Sequence, residues 1–124
     1  MKVIIVDDSE LMQERVAAVI DGLKDAKLVG LAKNSLETYE LVEKMKPDLI
    51  ILDIRLPGQN GMHILETLKK ADNTLKFIIL SNYPYPQYKK RCLELGADYF
   101  LDKTNEFEQL QDVLKKLVIL QKAK

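Results

Sequence analysis

Short apolar runs alternate with segments of helical spacing along the whole chain, and that alternation leaves few folds open. The runs Val3-Ile4-Ile5-Val6, Leu49-Ile50-Ile51-Leu52 and Phe77-Ile78-Ile79-Leu80 have the length of buried strands, and residues 28–32 and 99–101 supply two shorter ones. The third strand, expected at 48–52, is apolar at consecutive positions, as in a central strand covered on both faces. Five strands and five helices in strict order predict a doubly wound α/β fold, with right-handed crossovers placing helices on both faces of a parallel sheet. No repeat, linker or low-complexity stretch interrupts the pattern, so residues 1–124 are expected to form one domain.

The intervening segments carry helix signals. Met12, Val16, Val19, Ile20 and Leu23 recur at helical spacing, with Gly22 near the expected stop. Asn34 and Glu37 form a capping pair ahead of Leu41, Val42 and Met45, and Pro47 prevents continuation of that helix. Residues 55–61 are turn chemistry throughout, followed by Met62, Leu65 and Leu68 on one helix face. A helix bearing Tyr88, Cys92 and Leu95 should end at Gly96. Asn105 and Glu108 resemble a second capping pair, opening a last helix with Phe107, Leu110, Leu114, Leu117 and Val118.

Bulk composition narrows the function. Nineteen basic residues balance nineteen acidic ones, so no cationic excess is available to neutralise nucleic-acid phosphates, and direct nucleic-acid binding is not expected. The single cysteine, Cys92, cannot form an internal disulfide, and no Cys/His spacing suggests zinc. It reads as a small buried residue. Met1-Lys2-Val3 runs directly into a strand, leaving no room for a signal peptide, and no apolar stretch approaches the ~20 residues that span a bilayer. The cytoplasm is the expected compartment, without membrane association.

The strand ends carry the chemistry. Asp7 and Asp8 follow the first run, Asp53 the third, Ser81 the fourth, and Lys103 lies just past the fifth. In an open parallel sheet the carboxyl ends share one edge, where ligands bind. Asp8 or Ser9 could serve merely as a helix cap. A third carboxylate, Asp53, points instead to a hard oxygen site suited to Mg²⁺ and, through it, to a phosphate. A carboxylate can accept a phosphoryl group, while a lysine and a hydroxyl stabilise its oxygens. Asp53, Lys103 and Ser81 supply these roles.

Together these residues resemble a response-regulator receiver domain of two-component signalling. The matching pieces are Val6-Asp7-Asp8-Ser9, Leu52-Asp53-Ile54-Arg55-Leu56-Pro57 with Gly61, Leu80-Ser81, and Gly96-Ala97-Asp98 leading to Lys103. The resemblance implies a flavodoxin-like (βα)5 fold with strand order 2-1-3-4-5. It implies Asp53 as phosphoacceptor, Asp7 and Asp8 as Mg²⁺ carboxylates beside it, and the backbone carbonyl of Arg55 as a further metal ligand. Ser81 is then the hydroxyl that shifts toward the phosphate, Lys103 its counter-charge, and Phe100 the aromatic switch residue. The implied donor is a sensor histidine kinase or phosphotransfer protein, or a small acyl phosphate. Output would pass through the face of the fourth helix, fifth strand and fifth helix to an output domain or a downstream protein. The chain would be either a single-domain regulator or the receiver portion of a DNA-binding transcriptional regulator, and a phosphorylation-dependent homodimer is a further implied partnership. The protein would be no enzyme beyond its own phosphorylation and dephosphorylation.

Several positions depart from the family pattern or refine it. Phe100 stands where tyrosine is frequent and has no hydroxyl to fix either rotamer; its plain alternative is a core residue. Thr104 follows Lys103 where many receivers carry proline after a cis bond, and a trans bond is expected before a non-proline. Arg55 and Tyr83, two residues beyond Asp53 and Ser81, suggest slower phosphate loss. Tyr83, Tyr85, Tyr88 and Tyr99, with Pro84 and Pro86, suggest an interface, against the alternative of inward packing. His63 reads as a surface or helix-start residue. The enzyme-class alternative is a small Mg²⁺-dependent phosphatase using an aspartyl intermediate, but Arg55 occupies the place of its second carboxylate. A binding module that is never phosphorylated would not need the full set of strand-end residues.

Overall fold

The computed structural model describes residues 1–56, 59–82 and 85–123. Pro57, Gly58, Tyr83 and Pro84, to which the turn, lifetime and interface expectations refer, lie outside the described residues.

The five expected strands form one parallel sheet: β1 (Lys2–Val6), β2 (Lys27–Ala32), β3 (Leu49–Leu52), β4 (Lys76–Ser81) and β5 (Tyr99–Asp102). Their spatial order is β2-β1-β3-β4-β5, the order expected. Five α-helices connect or follow them: α1 (Glu10–Asp21), α2 (Ser35–Met45), α3 (Gly61–Ala71), α4 (Pro86–Glu94) and α5 (Leu110–Lys122). The fold is the flavodoxin-like arrangement. Arg55–Leu56 and Gln59–Asn60 add a short antiparallel ribbon between β3 and α3, within the segment whose residues predict only a turn.

Alternation of side chains along the strands divides the core into two layers. Ile4, Val6, Ile50, Leu52, Phe77, Ile79 and Phe100 pack with Leu65, Leu68 and Cys92 on one face. Val3, Ile5, Leu49, Ile51, Ile78, Leu80 and Leu101 pack with Val16, Ile20, Leu114 and Leu117 on the other. Both faces being covered explains why β3 is apolar at every position, and each such side chain contributes roughly 1.5–3 kcal/mol on burial.

Most helix boundaries follow from local chemistry. The Asn34 carboxamide oxygen accepts from the Glu37 N–H, and Glu37 reaches back to the Lys33 N–H. Gly96, at φ 107°, ends α4 with its N–H on the Leu93 carbonyl and the Ala97 N–H on that of Cys92. The expected Asn105–Glu108 cap is not formed. The Asn105 amide donates instead to the Asp102 carboxylate, a 3₁₀ turn occupies Phe107–Gln109, and α5 begins at Leu110. That charge-assisted bond ties the Asn105 side chain, through its NH2 group, to the end of β5.

Candidate functional site

Backbone pairing continues one residue past three strands and sets the site. The Asp7 N–H donates to Ala32 of β2, the Asp53 N–H to Val6 of β1, and the Lys103 N–H to Ser81 of β4. These bonds bring residues from distant parts of the chain to the carboxyl edge of the sheet. Asp7, Asp53, Ser81 and Lys103 are all buried, and Asp8 is exposed.

The Lys103 ammonium lies 2.7 Å from Asp7 Oδ2 and 3.0 Å from Asp53 Oδ2. The remaining oxygens are occupied locally: Asp7 Oδ1 accepts from the Ser9 N–H and Asp53 Oδ1 from the Arg55 N–H. Each buried carboxylate is thereby oriented from both sides. Oxygens of Asp7, Asp8 and Asp53 also lie within 4.8 Å of one another. Three carboxylates and one ammonium leave two negative charges at this edge, which a divalent cation would balance. The all-oxygen donor set suits Mg²⁺.

Burial pushes the Asp53 carboxyl above its ordinary range, against the opposing pull of the Arg55 N–H and Lys103. For Lys103, burial alone would lower the ammonium value. Its bonds and attraction to Asp7 and Asp53 outweigh that effect and raise it.

Sequence reasoning brought five strand-end positions together, and four of them, Asp7, Asp8, Asp53 and Lys103, meet here. Ser81 ends the neighbouring strand and is fully buried, with its carbonyl holding Lys103. Phe100 is buried in the core layer shared with Ile79 and Cys92, while Tyr99 packs on the opposite layer. Arg55 is exposed on the ribbon. His63 is exposed in the first turn of α3, as expected. Tyr85 is exposed and meets Tyr88 edge-on at 5.6 Å, but Tyr88 itself packs partly against the core. No cis peptide bond occurs among the described residues, so the Lys103–Thr104 bond is trans, as expected.

Two supporting residues escaped the sequence reading. Buried Gln13 of α1 donates from its amide to the carbonyls of Asp7 at 2.8 Å and Ala32 at 3.3 Å. Its signal was a polar residue on the apolar stripe formed with Val16 and Ile20. Asp102 is also buried and bonds the turn after Lys103. The spacing of Gly61 from Asp53 has a geometric reason. A Cβ there would lie 2.5 Å from the Asp53 carbonyl oxygen and 2.6 Å from Ile54 Cα.

The sequence model described as Response regulator receiver domain matches residues 3–115. A protein-glutamate methylesterase/protein-glutamine glutaminase of Treponema pallidum is 36% identical over 120 residues, covering 94% of this chain and 30% of that protein. The nitrate/nitrite response regulator protein NarL of Escherichia coli is 32% identical, covering 90% of this chain and 52% of NarL. The chain therefore spans from 30% to about half of the length of these relatives. The response regulator domain of Thermotoga maritima CheB superposes with a TM-score of 0.83 at 31% identity, covering 97% of this chain and 94% of that one. Among the described residues no helix is long and apolar enough to cross a membrane.

Proposed function

From the premise that this chain belongs to the family of response regulator receiver domains, we propose that residues 1–124 form a receiver whose phosphorylation site is Asp53. The observation that carries the assignment is the Lys103 ammonium held between Asp7 and Asp53, with Asp8 alongside. The family's role is that of a phosphorylation-controlled switch in two-component signalling. Asp7, Asp8 and Asp53, with the Arg55 carbonyl, would hold Mg²⁺, which supplies charge neutralisation for the incoming phosphate.

An Asp53 oxygen attacks phosphorus, the bond from phosphorus to the donor's imidazole nitrogen or acyl oxygen breaks, and the leaving group takes that electron pair. Asp7 and the Arg55 N–H keep Lys103 and the carboxylate oriented for this approach. Lys103 then pairs with a phosphate oxygen, and the Ser81 hydroxyl donates to another. The donor is a sensor histidine kinase or phosphotransfer protein in the cytoplasm. The new charge biases the loop of Ser81 and the packing of Phe100, and through them the face of α4, β5 and α5 toward its output. The chain turns over no separate substrate. It serves either as a lone regulator or as the receiver portion of a larger one.

Intact-mass measurement with acetyl phosphate tests the site. One phosphoryl group should be gained with Mg²⁺, little without it, and none in Asp53→Asn. An undiminished gain in that variant would overturn the assignment.

A further inference from the structure

Lys103 reaches Asp7 and Asp53 from a turn whose geometry is set by its predecessor. Asp102 is the last residue of β5 and is 7% exposed. Its Oδ1 accepts from the Thr104 N–H at 2.9 Å, and its Oδ2 from the Asn105 amide at 2.9 Å. This is the side-chain bracket by which aspartate closes a turn over the residue that follows it. The backbone repeats the closure: the Asp102 N–H donates to Glu106 Oε1 at 3.0 Å, and the Glu106 N–H to the Asp102 carbonyl at 2.9 Å. On its other side, Lys103 is tied by its own N–H to Ser81 of β4. Lys103 is therefore anchored at both flanks.

We propose that Asp102 is a positioning residue, holding Lys103 at the reach from which its ammonium meets the phosphoacceptor. The proposal rests on the reading of Asp53 as that acceptor. A lysine has a long, freely rotating stem, so the placement of its ammonium depends on how firmly its backbone is held. The Thr104 N–H is central here, because this carboxylate is its acceptor. That bond also keeps the Asp102 carboxyl below its ordinary range, so the bracket is ionised at neutral pH. Small displacements of a positioning group carry large kinetic effects.

The test is the rate of phosphoryl gain from acetyl phosphate with Mg²⁺, read by intact mass beside a thermal melt of each variant. Asp102→Ala should slow the gain about tenfold while still melting cooperatively. Asp102→Asn should slow the gain only about threefold, because its carboxamide oxygen still accepts from the Thr104 N–H while its NH2 cannot accept from the Asn105 amide. A purely structural role would lower the melting temperature of Asp102→Ala and leave its rate at 25 °C unchanged, which overturns the proposal. So does a rate in Asp102→Asn as low as in Asp102→Ala. If Asp102→Ala does not fold, Asn105→Ala replaces it, removing one of the bracket's bonds with an expected slowing of about threefold; a parental rate there is equally fatal. A parent that gains no phosphoryl group removes the Asp53 reading and this proposal with it. A normal parent beside an unaffected Asp102→Ala removes this proposal alone.

Discussion

At the scale of the residue, Asp53 carries a charge where burial makes charge costly. Burial raises its carboxyl value, and the bonds from Arg55 and Lys103 offset that only in part. A carboxyl raised in the folded state adds stability at pH below its unfolded value, near 3.9, and loses it as pH rises through the folded value. At pH 7 the ionised group is thus a standing cost. Asp53→Asn removes that cost and leaves Asp7 at 2.7 Å to pair with Lys103. The variant should gain about 1 kcal/mol at pH 7, a rise in melting temperature of roughly 3–6 °C. The gain should shrink as pH falls toward 4. Melting curves at pH 7 and pH 4 check this, and an Asn variant no more stable than the parent at pH 7 would contradict it. Lys103→Met acts oppositely, because it leaves two buried carboxylates facing each other without a cation. Its expected loss is about 3 kcal/mol in urea denaturation at pH 7, easing at acid pH where Asp53 takes up a proton.

At the scale of the element, two glycines at helix ends differ in what they protect. Gly61 opens α3 against the backbone of Asp53 and Ile54, where a Cβ would stand 2.5 Å and 2.6 Å from main-chain atoms. Backbone cannot yield as a side chain can. Gly61→Ala should therefore cost about 2–3 kcal/mol and slow phosphoryl gain, because the displaced segment carries Asp53, the proposed acceptor. Gly96 closes α4 at φ 107°, and its nearest neighbours are carbons of the flexible Lys69 side chain. Gly96→Ala should cost about 1–2 kcal/mol from backbone strain and leave the rate of phosphoryl gain near parental. Urea melts with rate measurements on both variants separate the two, and a rate loss shared equally by both would refute the distinction. The same contrast marks what the sequence could disclose. The stop at Gly96 and the cap at Asn34 depend on neighbours a few residues away, and both were legible. The α5 start was misplaced because the Asn105 amide answers to Asp102, in a turn pinned to β4 through Lys103. The ribbon at Arg55–Leu56 went unseen because two-residue strands leave no periodicity to read.

At the scale of the whole molecule, the site exists only because parallel pairing aligns strand ends from across the chain. Apolar runs that end in Asp7, Asp53 and Ser81 made that alignment legible, since a parallel sheet has one carboxyl edge. The supports of Gln13 and Asp102 were not legible, because polar residues near helix and strand ends have many uses and only packing selects one. The same assembly makes global stability a reporter of the metal. A ligand bound only by the folded state stabilises by mass action, about 1.4 kcal/mol at ten times its dissociation constant. Mg²⁺ at that level should raise the melting temperature by roughly 3–6 °C, beyond any change from NaCl at equal ionic strength. Asp8 is the decisive position because its side chain is exposed and outside the core. Asp8→Asn should leave the metal-free protein as stable as the parent or slightly more so, having relieved repulsion among three carboxylates within 4.8 Å. It should lose most of the Mg²⁺ shift while NaCl acts on both proteins alike. Equal Mg²⁺ shifts in parent and variant would mean that the cation binds elsewhere and that the acidic edge is not its site.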